Sequence, residues 1–426
     1  MFKYSLLGIV SLLFVSCKST EKFTGYSYDP PGVTDTFDKE IEYQKKRIIG
    51  AGTPKVWASN EFDGARMNDF YAINDTLYEV LIKPERAPIN NSAWFSFKLW
   101  SDVQQTITLR MKYEDGRHRY QPKVYFEGNI FSDFPKDTLY NKPIEVRYDS
   151  LRNASFEITV GELPLIVTAQ WPFNTTLFNK AINSPIVQEK ANTRVIGHSK
   201  ENRPIYEVEI DETDANEPAG VLILVSRLHP PEVPGFLTSM FFLENLLSDS
   251  DLATEFRKHF VVKAYPLVNP DGVDHGHWRN NAAGNDLNRD WEHFNQPETR
   301  AVRDALLPLL DTPNRKVYYG IDFHSTNENL FYPIDEDVVT FPDNFTQRWQ
   351  EMIIEDNPDI VFSSEEFPTD SPITKNWIYK TFGADAVTYE VSDNMEIADM
   401  ESVAYSATEL LMQSLLEEFK KHNQPK

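Results

Sequence analysis

Two textures of apolar and polar residues divide the chain. Between residues 40 and 165 apolar positions alternate with polar ones, as in Ala93-Trp94-Phe95-Ser96-Phe97-Lys98-Leu99-Trp100 and Thr106-Ile107-Thr108-Leu109-Arg110-Met111-Lys112-Tyr113. A period of two puts every second side chain on one face of a strand, so this stretch predicts short, half-buried strands. Asp115-Gly116 offers a hairpin turn between two of them. An antiparallel β-sandwich domain follows. After Trp171-Pro172 solid apolar runs at 221–225, 260–268, 317–323 and 386–391 alternate with amphipathic stretches at 236–247, 298–310 and 402–420. Runs apolar on both faces are strands covered by helices on both sides. Residues 170–426 therefore predict an α/β domain with a mixed, largely parallel sheet.

The N-terminus has a different character. Lys3 precedes an apolar run at 6–15 that closes on Ser16-Cys17, too short to span a bilayer and shaped like a cleaved export signal. Cys17 is the only cysteine and stands where a lipoprotein signal places its acylated residue. The expectation is a protein exported and lipid-anchored to the cell envelope, at the outer membrane or surface of a Gram-negative bacterium. The alternative is an ordinary secretory signal that happens to contain a cysteine. Residues 18–39, with Pro30-Pro31-Gly32, read as a tether with no core. With Cys17 spent, no thiol is left for a disulfide, so stability must come from burial and bound metal. The net charge of -23 over 426 residues excludes nucleic acid as a partner, because phosphate binding needs a basic face.

Each solid apolar run ends in chemistry. Arg227-Leu228-His229-Pro230-Pro231-Glu232 follows the first, Asn269-Pro270-Asp271-Gly272 the second and His324-Ser325 the third, and Glu390 lies in the fourth. Open α/β sheets bind ligands at such strand ends. His229 and Glu232, three apart with two prolines stiffening the turn, suit one metal ion, and His324 would complete a two-histidine, one-carboxylate zinc set with an open fourth position. Alone, His324 reads equally as a hydrogen-bonded rim residue.

Trp278-Arg279-Asn280-Asn281, then Asp286-Leu287-Asn288-Arg289-Asp290-Trp291, add a further pattern. With the H-x-x-E of His229 and Glu232, the Asn269-Pro270-Asp271-Gly272 turn, Asp322-Phe323-His324-Ser325 and Thr388-Tyr389-Glu390, in that order, the chain resembles the zinc metallocarboxypeptidases related to carboxypeptidase A. The likeness runs from about residue 192 to 418, and Pro297-Glu298-Thr299-Arg300 resembles the family's helix start. The β-rich region, with Ala93-Trp94-Phe95-Ser96-Phe97 and Gln121-Pro122, is similar in pattern to the N-terminal domain of cytosolic carboxypeptidases.

The resemblance implies a hydrolase that releases C-terminal residues from a peptide substrate with one zinc ion per catalytic domain. Glu390 would be the base, suited to take a proton from water and pass it to the leaving amine. Arg279 would stabilise the oxyanion, and Asn288 with Arg289 would hold the substrate's carboxylate, which a guanidinium fork matches. Arg289 has an alternative use in pairing with Asp286 or Asp290, and Glu390 could be a solvated strand-end carboxylate. Counting back from Glu390, Pro368 falls where the family has a mobile tyrosine, with Tyr379 and Tyr389 nearby but off that spacing. Lys375, by the same count, falls at the specificity pocket and would favour an acidic C-terminal side chain, unless it faces solvent or pairs with Asp370. Two other functions fit the sequence: a zinc amidase acting on cell-wall peptides, or a surface binding protein without catalysis.

Overall fold

The computed structural model describes residues 23–126, 144–150 and 153–423. The expected signal at 1–17 and Cys17 lie outside the described residues. The alternating region builds two five-stranded sheets around one core. The first orders Ile48–Ala51, Val56–Ser59, Ser96–Ser101, Leu165–Thr168 and Lys123–Phe126, all antiparallel. The second orders Asp69–Ala72, Leu77–Ile82, Gln105–Tyr113, Ala154–Val160 and Arg147–Tyr148, with one parallel pair between Leu77–Ile82 and Gln105–Tyr113. In Gln105–Tyr113 the apolar Ile107, Leu109 and Met111 are buried while Thr106 and Lys112 are exposed, as the period of two requires.

The hairpin expected at Asp115-Gly116 does not form. The strands before and after it, Gln105–Tyr113 and Lys123–Phe126, lie in different sheets. The turn instead docks on the second region: a Cβ at Gly116 would fall 2.5 Å from the Trp278 ring. Arg117 N donates to Asn91 Oδ1 at 2.8 Å.

The second region carries an eight-stranded sheet in the order Asn192–His198, Pro204–Ile210, Phe260–Tyr265, Ala219–Ser226, Arg315–Thr326, Asp385–Ser392, Asn329–Tyr332 and Phe362–Ser364. Its four central strands are parallel, and the flanking pairs are antiparallel except the last, Asn329–Tyr332 with Phe362–Ser364, which is parallel. Ala219–Ser226 shows why it reads as solidly apolar. Leu222 and Leu224 enter a core with helices Val233–Leu246 and Ile397–His422, while Val221, Ile223 and Val225 enter another with Pro297–Leu306 and Thr374–Phe382. Both sheet faces are covered.

The tether expectation is corrected for residues 23–39. Val33 and Thr36 are buried, Lys39 N donates to the Ala283 carbonyl at 2.8 Å, and Thr36 Oγ1 donates to Asp290 Oδ1. Hydrogen bonding to distant residues, which no local pattern reveals, fastens this polar segment to the second region.

Candidate active site

The strand-end segments meet where the central parallel strands stop. Ala219–Ser226 gives way to Arg227, whose φ of 56° lies in the left-handed region and turns the chain out of the sheet. The following loop is pinned. Arg227 Nε donates to the Pro230 carbonyl at 2.8 Å and Asn269 Nδ2 to the Leu228 carbonyl at 2.9 Å, so the Asn-Pro-Asp-Gly turn braces the loop of His229. Glu232 immediately precedes helix Val233–Leu246, which approaches the next strand so closely at Gly235 that a Cβ there would fall 2.2 Å from the His324 carbonyl oxygen. Glycine permits that approach, and the approach brings Glu232 against His324.

His324 and Glu390 are register partners on parallel strands, and Asp322 with Thr388 form the pair two positions earlier. The period of two sets all four side chains on one face.

His229 Nδ1 lies 2.9 Å from Glu232 Oε1, and His324 Nδ1 lies 2.7 Å from Glu232 Oε2. The far ring nitrogens are held by other carboxylates: Nε2 of His229 donates to Asp286 Oδ1 at 2.8 Å, and Nε2 of His324 donates to Asp322 Oδ2 at 3.0 Å. With each Nε2 turned to an aspartate, and that of His324 also 3.0 Å from Asn288 Nδ2, each Nδ1 faces the Glu232 carboxylate. The three residues are buried and offer ligand atoms within 4.8 Å of one another. This donor set fits zinc, since a cation replaces the protons that the imidazoles share with Glu232.

Burial pushes the Glu232 carboxyl up, but the two imidazoles outweigh it and hold it well below the usual range. Glu390 shifts the other way. Burial, with the Glu232 charge behind it, pushes its carboxyl up to about 7. Its Oε2 is buried without a hydrogen-bond partner among the described residues, while the residue lines the cleft.

The cleft, about 320 Å³, is also lined by Arg279, Asn288 and Arg289. Arg279 Nε donates to Asp286 Oδ2 at 2.7 Å, so Asp286 holds both this arginine and His229. Asn288 is turned into the protein, its Oδ1 accepting from Thr374 N and Oγ1 at 3.0 Å each. The Arg289 fork is taken by a residue the sequence did not offer. Nε and Nη2 donate to the two carboxylate oxygens of Asp29 at 3.0 and 3.1 Å, and the pair is buried at 3 % and 1 % exposure. Neither the Asp286 nor the Asp290 carboxylate is hydrogen-bonded to the fork, although Arg289 N donates to the Asp286 carbonyl at 3.1 Å.

The expectation for Lys375 is corrected. It lies in the first turn of helix Thr374–Phe382, fully buried, donates from Nζ to the Pro333 carbonyl, and does not line the cleft. It neither faces solvent nor pairs with Asp370, and burial lowers its ammonium to about 8. Two positions earlier, Ile373 lines the cleft instead. The tyrosines that line it are Tyr28 and Tyr332, rather than Tyr379 or Tyr389. Tyr332 pairs in register with Thr388, on the face that carries Glu390, a placement set by the pairing of distant strands. Arg119, Asn90, Asn91 and Ser92 reach the cleft from the sandwich, and no local motif marks them.

A mixed sheet with helices on both faces and a His-Glu-His set at its strand ends defines a metallohydrolase-like site. The zinc carboxypeptidase family profile matches residues 188–410, and the chain belongs to that family, whose metal is zinc. Among curated relatives, mouse cytosolic carboxypeptidase 6 is 21% identical over 62% of this chain and 52% of its own length. Mouse cytosolic carboxypeptidase 3 is 30% identical over 63% of this chain and 29% of its own length. The chain thus spans about half the length of the first of these relatives and less than a third of the second. In fold it resembles a metallo-carboxypeptidase from Burkholderia cenocepacia, with a TM-score of 0.68 at 16% identity over 85% of this chain and 99% of that one. A metallo-carboxypeptidase from Pseudomonas aeruginosa, in complex with (2-guanidinoethylmercapto)succinic acid, gives 0.67 at 17% over the same shares.

The relatives correct the expected location. They are named cytosolic carboxypeptidases, which overturns the reading of an exported, lipid-anchored envelope protein. Among the described residues no helix is long and apolar enough to cross a membrane.

Proposed function

We propose that this protein is a zinc-dependent carboxypeptidase that hydrolyses the last peptide bond of a peptide substrate, with residues 40–165 and 170–426 as its two domains. The observation that carries the reading is the convergence of two histidine Nδ1 atoms on the Glu232 carboxylate, each imidazole oriented by a separate aspartate, beside the strand that bears Glu390. His229, Glu232 and His324 would hold the metal. When bound there, zinc would supply Lewis acidity, lowering the pKa of a water toward neutrality and polarising a carbonyl. Glu390 takes a proton from the attacking water and passes it to the departing amine as the C–N bond breaks. Arg279 donates to the oxygen that gains charge. Arg289 receives the substrate's terminal carboxylate, which reaches the fork by displacing Asp29.

The test is mass spectrometry of peptide pairs, one with a free C-terminus and one amidated, after incubation with zinc-loaded enzyme. Single residues should be lost from the free peptides alone. Glu390→Gln should keep zinc and fold while turnover drops by about 100-fold or more. Internal fragments from both members of a pair, or unchanged turnover in the variant, would sink the reading.

A further inference from the structure

We infer that Glu85, in the sandwich region, is a positioning residue for Arg279, which makes the sandwich part of the catalytic apparatus. The inference rests on the proposed role of Arg279 at the oxyanion. Glu85 follows strand Leu77–Ile82 and is fully buried. Its carboxylate accepts from three consecutive backbone N–H groups across the interface: Trp278 at 2.7 Å, Arg279 at 3.1 Å and Asn280 at 2.8 Å. Beside it, buried Arg66 lies 3.8 Å from Glu85 Oε2 and donates from Nε to the Gly276 carbonyl at 2.8 Å. The sandwich therefore grips the loop of Arg279 by both kinds of backbone group. Burial pushes the Glu85 carboxyl up, but His277, Arg66 and the backbone donors hold it below its ordinary value, so it stays ionised.

Arg279 is thereby fixed at both ends. Glu85 holds its backbone and Asp286 holds its guanidinium. Without Glu85, three N–H groups at a buried interface lose their acceptor, and the loop must move to satisfy them. A displacement of the order of an ångström in a group that meets the transition state costs rate far more than substrate affinity. A carboxylate that served the interface alone would affect stability and leave the rate per folded molecule unchanged. The two roles separate by experiment.

The measurement is kcat and KM of the full-length, zinc-loaded protein as wild type, Glu85→Gln, Glu85→Ala, Arg279→Ala and the two double variants, with zinc content and melting temperature alongside. Glu85→Ala should lower kcat by about 10- to 100-fold, with KM and zinc content within about twofold of wild type. Glu85→Gln, whose amide oxygen still accepts, should lose less, and it carries the test if the alanine variant fails to fold. In the Arg279→Ala background either change should cost almost nothing more, because neighbours acting through one group are not additive. Unchanged kcat in the folded Glu85 variants, or the same loss repeated without Arg279, overturns the inference. Wild-type turnover in Arg279→Ala alone would instead remove the oxyanion reading on which the inference depends.

Discussion

Glu232 and Glu390 line one cleft, yet their carboxyls shift in opposite directions, one held down by imidazoles and one pushed up by burial. Environments that push two carboxyl groups apart are how one site holds a ligand carboxylate and a proton carrier together. Asp29 is the third acid in this account, and it behaves as an internal competitor for the Arg289 fork. An internal group that holds a fork nine-tenths of the time weakens an outside ligand about tenfold. Asp29→Ala should therefore lower KM about tenfold for peptides with a free C-terminal carboxylate and leave amidated peptides unaffected. A rise in KM would show that Asp29 serves to hold Arg289 in place. The sequence made His229 and Glu232 legible because they stand three positions apart in one turn, and His324 because a strand end precedes it. It could not make Asp29, Arg119 or Glu85 legible, since each meets its partner across more than 190 positions of chain. Lys375 was misplaced for a related reason: a count along the chain gives a position in a helix, but the side chain follows the packing of that helix.

Among the elements, the solid apolar strands and the helices between them follow their patterns closely, with Val233–Leu246 observed where 236–247 was expected. Turns were harder to read. Asp115-Gly116 has hairpin chemistry but is captured by Trp278, a tertiary contact that outweighs local preference. The start of helix Pro297–Leu306 carries its own test in Glu298, which is fully buried and accepts from Lys200 N and Asn281 Nδ2 at 3.0 Å each. Burial pushes this carboxyl up from 4.5 to about 7. Below pH 4.5 both states hold the proton; between 4.5 and 7 the unfolded state has lost it and the folded state keeps it. The unfolded state then binds fewer protons, so this group's contribution to stability falls as pH rises through the window and levels above it. Denaturant unfolding of wild type and Glu298→Gln at several pH values should show the variant gaining about 3 kcal/mol relative to wild type across that window. A difference independent of pH would mean that Glu298 is ionised in the fold.

At the scale of the molecule, the sandwich and the sheet share one site. The sandwich sends Arg119 into the cleft, with Nε donating to Asp393 Oδ2 at 2.8 Å, and it seats the Arg279 loop through Glu85. The N-terminal segment adds Tyr28 and Asp29. The two-region architecture was legible because alternation and solid apolar runs are unlike, whereas the joint between regions is polar and leaves no periodic trace. Everything proposed for this protein turns on one metal held by three residues. The most direct measurement is zinc stoichiometry, by elemental analysis of purified wild type, His229→Ala, His324→Ala and Glu390→Gln after equal exposure to zinc and gel filtration. One zinc per chain is expected in wild type and in Glu390→Gln, and little in either histidine variant. Full occupancy in both histidine variants would contradict it.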